Sequence, residues 1–173
     1  MTYKIARYIK NINPEQTNSI EVMNYALTII INSFIIIFTS LCFGFIFEAF
    51  YSTVIALLGF ASFRLLTGGY HFQSSLACNF SSILLCSLAP HLAQLIPNYI
   101  LIFMNFISLF LLILIAPRFD RNTFISKKHY LKLKLIAILF ALLTIWTNST
   151  TLEIVVFVQT LSLLLLERSA KHE

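Results

Sequence analysis

The segment from Arg64 to Cys78, RLLTGGYHFQSSLAC, places a histidine and a cysteine seven positions apart in an otherwise apolar stretch. A thiolate is a strong nucleophile and a neighbouring imidazole can take the thiol's proton, so His71 and Cys78 are candidates for a catalytic pair. Along one unbroken helix, seven positions would separate the two residues by about 10.5 Å, too far for a hydrogen bond. The pair therefore requires a break in the helix.

The same segment contains residues that favour such a break. Gly68 and Gly69 permit backbone bends that other residues resist. Ser74 or Ser75 is suited to be the N-cap of a following helix, which would place Cys78 in or near its first turn. The positive end of the helix dipole would then favour the thiolate, and His71 could fold back from the preceding loop. The alternative is a cysteine that only packs and a histidine that is only hydrated.

The other two cysteines are less suited to chemistry. Cys42 and Cys86 are expected to lie deeper in apolar helices, where a thiol stays protonated. Three cysteines in apolar surroundings indicate neither a disulfide framework nor a metal site, and no cofactor is implied.

The composition predicts an all-α integral membrane protein. Of 173 residues, 58% are hydrophobic and 11% charged, more apolar surface than a soluble domain of this size could bury. The period-two alternation of a membrane β-barrel is missing from the sequence. Residues 1–173 read as one polytopic domain with about six crossings, at Ala26–Phe47, Phe50–Phe63, Leu76–Ile96, Tyr99–Ala116, Leu131–Trp146 and Leu152–Leu166.

The basic residues predict the orientation. Six crossings create three tight turns on one side, near Glu48, near Pro97 and in TNSTTLE, and none of them contains Lys or Arg. All twelve basic residues fall on the other side. Because basic loops stay cytoplasmic, both termini, residues 64–78 and the basic loop 117–134 are expected there. Contact with anionic lipid head groups explains the net charge of +5 without nucleic acid.

Residues 1–25 read as an amphipathic cytoplasmic lead. Ile5, Tyr8, Ile9 and Ile12 share one face of a helix whose basic residues lie opposite, as in a helix lying in the membrane interface. A new helix is then predicted in the stretch Asn13–Gln16, with Asn13 as N-cap and Gln16 as its capping-box partner.

These features together resemble the accessory gene regulator B family, bacterial membrane endopeptidases of peptide quorum sensing. The resemblance lies in Arg64, Gly68-Gly69, His71, the serines that follow and Cys78, between hydrophobic spans. The basic loop opening at Ala116-Pro117 and continuing through SKKHYLKLK, the chain length and the amphipathic lead extend it over nearly the whole chain.

The resemblance implies a membrane cysteine endopeptidase of the bacterial cell membrane. Cys78 would be the nucleophile that cuts a short amphipathic propeptide on its C-terminal side, and His71 the base. The thioester could then be attacked by a Cys or Ser of the peptide, closing a thiolactone or lactone ring. A homodimer is compatible with this reading.

The resemblance also suggests supporting roles. Arg64 would be a structural or substrate-carboxylate contact, and Gly68-Gly69 the bend. A third group orienting His71 stays open between Gln73, Ser74 and Ser75, and Gln73 could instead donate to the oxyanion. The basic loop is expected to contact propeptide or lipid through Lys127, Lys128, Lys132 and Lys134.

The alternative function is a small non-enzymatic membrane protein, either a transporter or an assembly subunit. A transporter needs ionisable groups or broken helices near the membrane midplane. The polar residues expected deep in the spans are few and uncharged, namely Asn32, Ser33, Asn105 and Gln159. An enzyme that handles lipid phosphates would need a Gly-rich cradle or an acidic metal cluster, and the sequence has neither.

Overall fold

The computed structural model describes residues 2–69, 74–119 and 126–171, without the side chains of Lys127 and residues 166–171. This part of the chain is helical, which confirms the predicted fold class. The helices are α1 (Thr2–Ile12), α2 (Ile20–Ile46), α3 (Phe50–Thr67), α4 (Ser75–Leu95), α5 (Asn98–Ile115), α6 (Tyr130–Trp146) and α7 (Thr150–Lys171), with a 3-10 turn at Lys127–His129 before α6.

Each of the six predicted apolar segments corresponds to one helix from α2 to α7. Four helices, α2 to α5, are long and apolar enough to cross a membrane. Helix α6 has 17 residues, and the apolar part of α7 described in full is Thr150–Leu165. Both are shorter than the roughly 20 residues of a standard crossing.

The N-terminal lead contains the predicted amphipathic helix but not the predicted helix start at Asn13. Helix α1 packs on α2 through the buried Ala6 and leaves Tyr8 and Ile12 exposed. After it, the Lys10 ammonium donates to the carbonyls of Pro14 and Thr17 at 2.7 Å, and holds the chain in a turn. Helix α2 therefore begins only at Ile20.

The N-cap of α2 is Ser19, whose hydroxyl accepts a hydrogen bond from the Val22 N–H at 3.4 Å. Asn13 instead donates from its side-chain amide to the Gln16 side chain at 3.1 Å, within the turn. The predicted capping box is thus replaced by a side-chain bond that caps no helix.

Helix α7 lies at the centre of the bundle and α2 at its edge. Two clusters of buried apolar residues form the core, and α7 contributes to both, through Ile154 and Val155 in one and Val156 and Leu163 in the other. In the 27 residues of α2, by contrast, only Ser40 and Gly44 are buried. The most apolar side chains of α2 thus face outward, as expected of a helix in contact with lipid.

Two of the predicted tight turns share one backbone device. Glu48, between α2 and α3, and Asn148, between α6 and α7, have φ values of 57° and 50°. A left-handed residue lets the N–H groups that follow it return to the carbonyls of the last helical turn. Accordingly the Ala49 N–H donates to Gly44 at 2.8 Å, and the Ser149 N–H to Thr144 at 3.2 Å.

Polar pairs join helices inside the bundle. Asn79 of α4 donates to Asn32 of α2 at 3.1 Å, and Asn105 of α5 donates to the Glu153 carboxylate of α7 at 2.7 Å. Glu153 is only 5% exposed, so the bundle buries an acidic side chain that the sequence placed in the turn TNSTTLE. It lies in the first turn of α7, where the helix dipole favours a negative charge.

Candidate functional site

Cys78 lies in the first turn of α4, as the sequence predicted. The helix begins at Ser75 after Ser74 in the N-cap position, and the Cys78 N–H donates to the Ser74 carbonyl at 3.1 Å. The Ser74 hydroxyl makes no capping bond, so the serine fits the position without supplying the side-chain contact. Cys78 is half-buried, close to the N–H groups that open the helix.

The glycine pair ends α3, which confirms the predicted break. Gly68 and Gly69 have φ values of 76° and 138°, backbone that residues with a Cβ rarely adopt. The Arg118 N–H donates to the Thr67 carbonyl at 2.9 Å, and the Gly69 N–H donates to the Arg118 carbonyl at 3.2 Å. A Cβ on Gly68 would collide with that carbonyl. The start of the basic loop therefore pairs directly with the glycine turn.

Gln159 of α7 holds the other side of the same turn. Its side-chain amide donates to the Gly68 carbonyl at 2.8 Å, and the side chain is 2% exposed. A Cβ on Gly69 would lie 2.5 Å from the Gln159 amide nitrogen and 3.0 Å from the Ser162 hydroxyl. Close packing against backbone thus requires glycine at position 68, whereas a Cβ on Gly69 would displace the ends of two side chains; both positions also have a positive φ.

A cavity of about 390 Å³ opens between α3, α4 and α7 beside Cys78. Most of its wall is apolar, and a few polar groups converge on it, as is usual for ligand pockets. The polar lining consists of Arg64, Cys78, Ser81, Ser82, Gln159 and Ser162. Among the described residues, His, Cys, Asp and Glu form no group of three that could hold a metal ion.

Arg64 is the cation of this cavity. It lies in the last turn of α3, and its guanidinium is 5.5 Å from the centroid of the Phe60 ring. It is also close enough to Cys78 for the two side chains to interact electrostatically. Reactive cysteines in proteins commonly lie beside cationic side chains.

The two serines that follow Cys78 are satisfied within their own helix. Ser81 and Ser82 both donate from their hydroxyls to the Cys78 carbonyl, at 3.0 Å and 2.9 Å. They line the cavity without pointing a free donor at the thiol. Ser75, named in the sequence analysis as a supporting residue, is exposed at the start of α4.

His71 and Gln73 lie outside the described residues. The roles predicted for them, as base and as its neighbour, therefore remain predictions from the sequence. What the structure brings together is Arg64, the glycine pair and Cys78. The segment 70–73 joins the glycine turn to Ser74, and both of these ends are held by backbone hydrogen bonds.

The basic loop is anchored at both ends. Besides the pairing of Arg118, the Phe119 ring packs on Tyr130 with centroids 5.5 Å apart. Lys134 donates to the Ile113 carbonyl in the last turn of α5, where a cation also suits the helix dipole. Lys128 and Lys132 are exposed, and the Lys127 side chain is outside the described set. Lys134 therefore has a structural partner that the sequence did not suggest.

Two contributions to the site were missed by the sequence analysis. Gln159 was noted only as a deep polar residue, and Arg118 only as part of a charged loop. A lone amide in an apolar helix was a usable signal, because polar groups inside a membrane usually have a partner and often a function. The pairing of Arg118 with the glycine turn has no local signal, since it joins positions about 50 residues apart in sequence.

Comparison with known proteins identifies the family of this chain. The family model for Accessory gene regulator B matches residues 2–166. A protein of Halalkalibacterium halodurans, itself named by its likeness to AgrB, is 25% identical over 160 residues, which cover 90% of this chain and 81% of that protein. No solved structure matches the chain. The chain therefore belongs to the accessory gene regulator B family, and with it to the membrane proteins of quorum-sensing peptide processing.

Proposed function

We propose that the protein is a membrane cysteine endopeptidase that cleaves a short amphipathic quorum-sensing propeptide, with Cys78 as nucleophile and His71 as base. The observation that carries the proposal is the position of Cys78, in the first turn of α4, on the wall of a largely apolar cavity and beside Arg64. A helix start and a neighbouring guanidinium are typical surroundings of reactive cysteines in proteins.

The proposed reaction proceeds through an acyl-enzyme. The Cys78 sulfur attacks the scissile carbonyl carbon after His71 has taken the thiol proton. The tetrahedral intermediate collapses as the C–N bond breaks, and His71 returns the proton to the leaving amine. The N-terminal part of the propeptide remains as a thioester on Cys78.

The second step releases the peptide. A thiol or hydroxyl of the bound peptide attacks the thioester carbonyl, loses its proton to His71 and restores the Cys78 thiol. The product is a thiolactone or lactone ring. The apolar wall of the cavity supports this step, because a peptide bound against it would keep water from the thioester and slow its hydrolysis.

The test is to trap the thioester. The wild-type protein in lipid vesicles, mixed with propeptide and quenched in acid, is expected to contain a covalent adduct on Cys78 by peptide mass spectrometry. Neutral hydroxylamine should release it, as it does thioesters. Cleavage of the propeptide by a correctly inserted Cys78→Ala variant would refute the proposal.

The proposed topology has six crossings, with the active-site end in the cytoplasm. Its support is the distribution of Lys and Arg, which leaves the three tight turns without a basic residue. In a variant lacking native cysteines, a cysteine at Ser149 should react with a membrane-impermeant reagent applied to intact cells. A cysteine at Ser126 should react only after the cells are opened. The reverse pattern would invert the orientation.

A further inference from the structure

Gln159 makes a contact that its own helix does not require. Its amide nitrogen donates to the Gly68 carbonyl across the bundle, 91 positions away in sequence, and the side chain is 2% exposed. Neighbouring polar residues of α7 behave differently. Thr160 and Ser162 donate to carbonyls of α7 itself, at 2.7 Å each.

The carbonyl that Gln159 binds belongs to the turn that leads into the His71 segment. Gly68 directly precedes Gly69, whose N–H is bonded to the Arg118 carbonyl, and His71 follows Gly69 by two positions. At the other end of the segment, Ser74 is tied to Cys78 through the first hydrogen bond of α4. Backbone hydrogen bonds therefore fix the chain on both sides of the segment that contains His71.

The Gln159 side chain also lies directly against Gly69. A Cβ on Gly69 would lie 2.5 Å from the Gln159 nitrogen, so the amide occupies the space against which the backbone rests. Arg118 binds the opposite side of the turn through its main chain. The turn is thus held between the start of the basic loop and the side chain of α7.

We propose that Gln159 is a positioning residue of the reaction, which fixes the glycine turn from which the chain continues to His71, the base that activates Cys78. This inference rests on the proposed Cys–His function. The rival explanation is a purely structural role, in which Gln159 only stabilises the packing of α7 against α3. The positioning role and the structural role differ in one respect: only the positioning role makes the effect of a Gln159 substitution on Cys78 depend on His71.

The experiment is a double-mutant cycle on the reactivity of the Cys78 thiol. Full-length protein carrying Cys42→Ser is placed in lipid vesicles, and alkylation of Cys78 by iodoacetamide is followed at pH 7 by peptide mass spectrometry. The cycle compares the parent with Gln159→Met, His71→Ala and the double variant. Methionine keeps the length of glutamine and removes the donor.

The expected result is strong non-additivity. His71→Ala should slow alkylation of Cys78 by roughly tenfold, because an unassisted thiol is mostly protonated at neutral pH. Gln159→Met should slow it by about five- to tenfold in the parent and by less than about twofold in the His71→Ala background, since residues that act as one unit do not add.

Two controls separate positioning from loss of folding. Thr160→Val removes a buried hydroxyl from the adjacent position of α7 and should change the rate by less than about twofold. Cys86, fully buried in the core of the bundle, should stay unreactive in every variant. Gln159→Asn, which withdraws the donor by one methylene, should repeat the behaviour of Gln159→Met.

The outcomes distinguish the two proposals. If His71→Ala leaves the alkylation rate unchanged, the Cys–His pair fails and the positioning role falls with it. If His71→Ala slows the reaction but Gln159→Met does not, only the positioning role is refuted. An equal effect of Gln159→Met in both backgrounds, or loss of Cys86 protection in both Gln159 variants, would show a structural role and overturn the inference.

Discussion

Cys78 and Cys86 lie on the same helix, eight positions apart, and have opposite surroundings. Cys78 is half-buried in the first turn of α4, on the wall of a cavity with Arg64 opposite. Cys86, about 12 Å further along the helix, is completely buried among apolar residues of α3, α5 and α7. The difference arises from the position of each thiol along the helix and from what neighbouring helices place beside it.

The comparison shows how a membrane bundle can build a reactive site at one end and an inert core below it. The reactive end combines a helix start, a cation and a glycine turn, and all three are available only where helices end. The cluster of buried residues around Cys86 is apolar and leaves its thiol without activation. Substitutions at the reactive end and in the core can test this contrast between Cys78 and Cys86.

The largest effect is expected from replacing the Cys78 sulfur with oxygen. Cys78→Ser should reduce cleavage of the propeptide by at least about a thousandfold, because a serine hydroxyl stays protonated where a thiol can ionise. Cys86→Ala, which removes only core volume, should retain cleavage close to that of the parent. Rates are measured by liquid chromatography of the peptide products, and equal losses in the two variants would end the contrast.

His71→Ala is expected to follow, with a loss of about 10²- to 10⁴-fold in cleavage rate, the usual contribution of a general acid–base. Cleavage by His129→Ala, which removes the histidine at the end of the 3-10 turn, should be unchanged. Single-turnover measurements at saturating propeptide separate the chemical step from binding. An inactive His129→Ala variant together with an active His71→Ala variant would show that the base is His129 of the basic loop.

Gly69→Ala should reduce cleavage by about a hundredfold, because its Cβ would displace the Gln159 amide and shift the turn. The matched control is Asn148→Ala, which places an alanine in a left-handed backbone position in the turn between α6 and α7. It is expected to lower thermal stability slightly and leave cleavage intact. Similar losses of cleavage in both would point to general destabilisation.

The smallest effect is expected from the basic loop. Replacing Lys127 and Lys128 with Gln should weaken processing by up to roughly thirtyfold at low salt, because each of the two cations near anionic lipid contributes about 1 kcal/mol. The difference should shrink as salt screens the charges. A Lys4→Gln, Arg7→Gln control removes the same charge from α1. An equal effect of the control would show that the loop acts only through general attraction of its charges to the membrane.

Much of the helical framework could be read from the sequence. The apolar segments located α2 to α7 because every backbone group in lipid must be bonded within its own helix, which makes a long apolar run almost unambiguous. The helix start predicted at Asn13 was wrong for a local reason. Lys10 reaches the carbonyls of Pro14 and Thr17 and stabilises a turn where a capping box was expected.

Within the site, the glycine break and the placement of Cys78 in the first turn followed from residue types, because glycine backbone freedom and the start of a helix are local properties. The contact between Gln159 and Gly68, the pairing of Arg118 with the glycine turn and the burial of Glu153 depend on which helices become neighbours. Sequence periodicity shows that a helix is apolar, but in a helix apolar on most sides it does not show which face meets protein and which meets lipid. Only packing of the bundle selects that face, and with it the partners of each polar side chain.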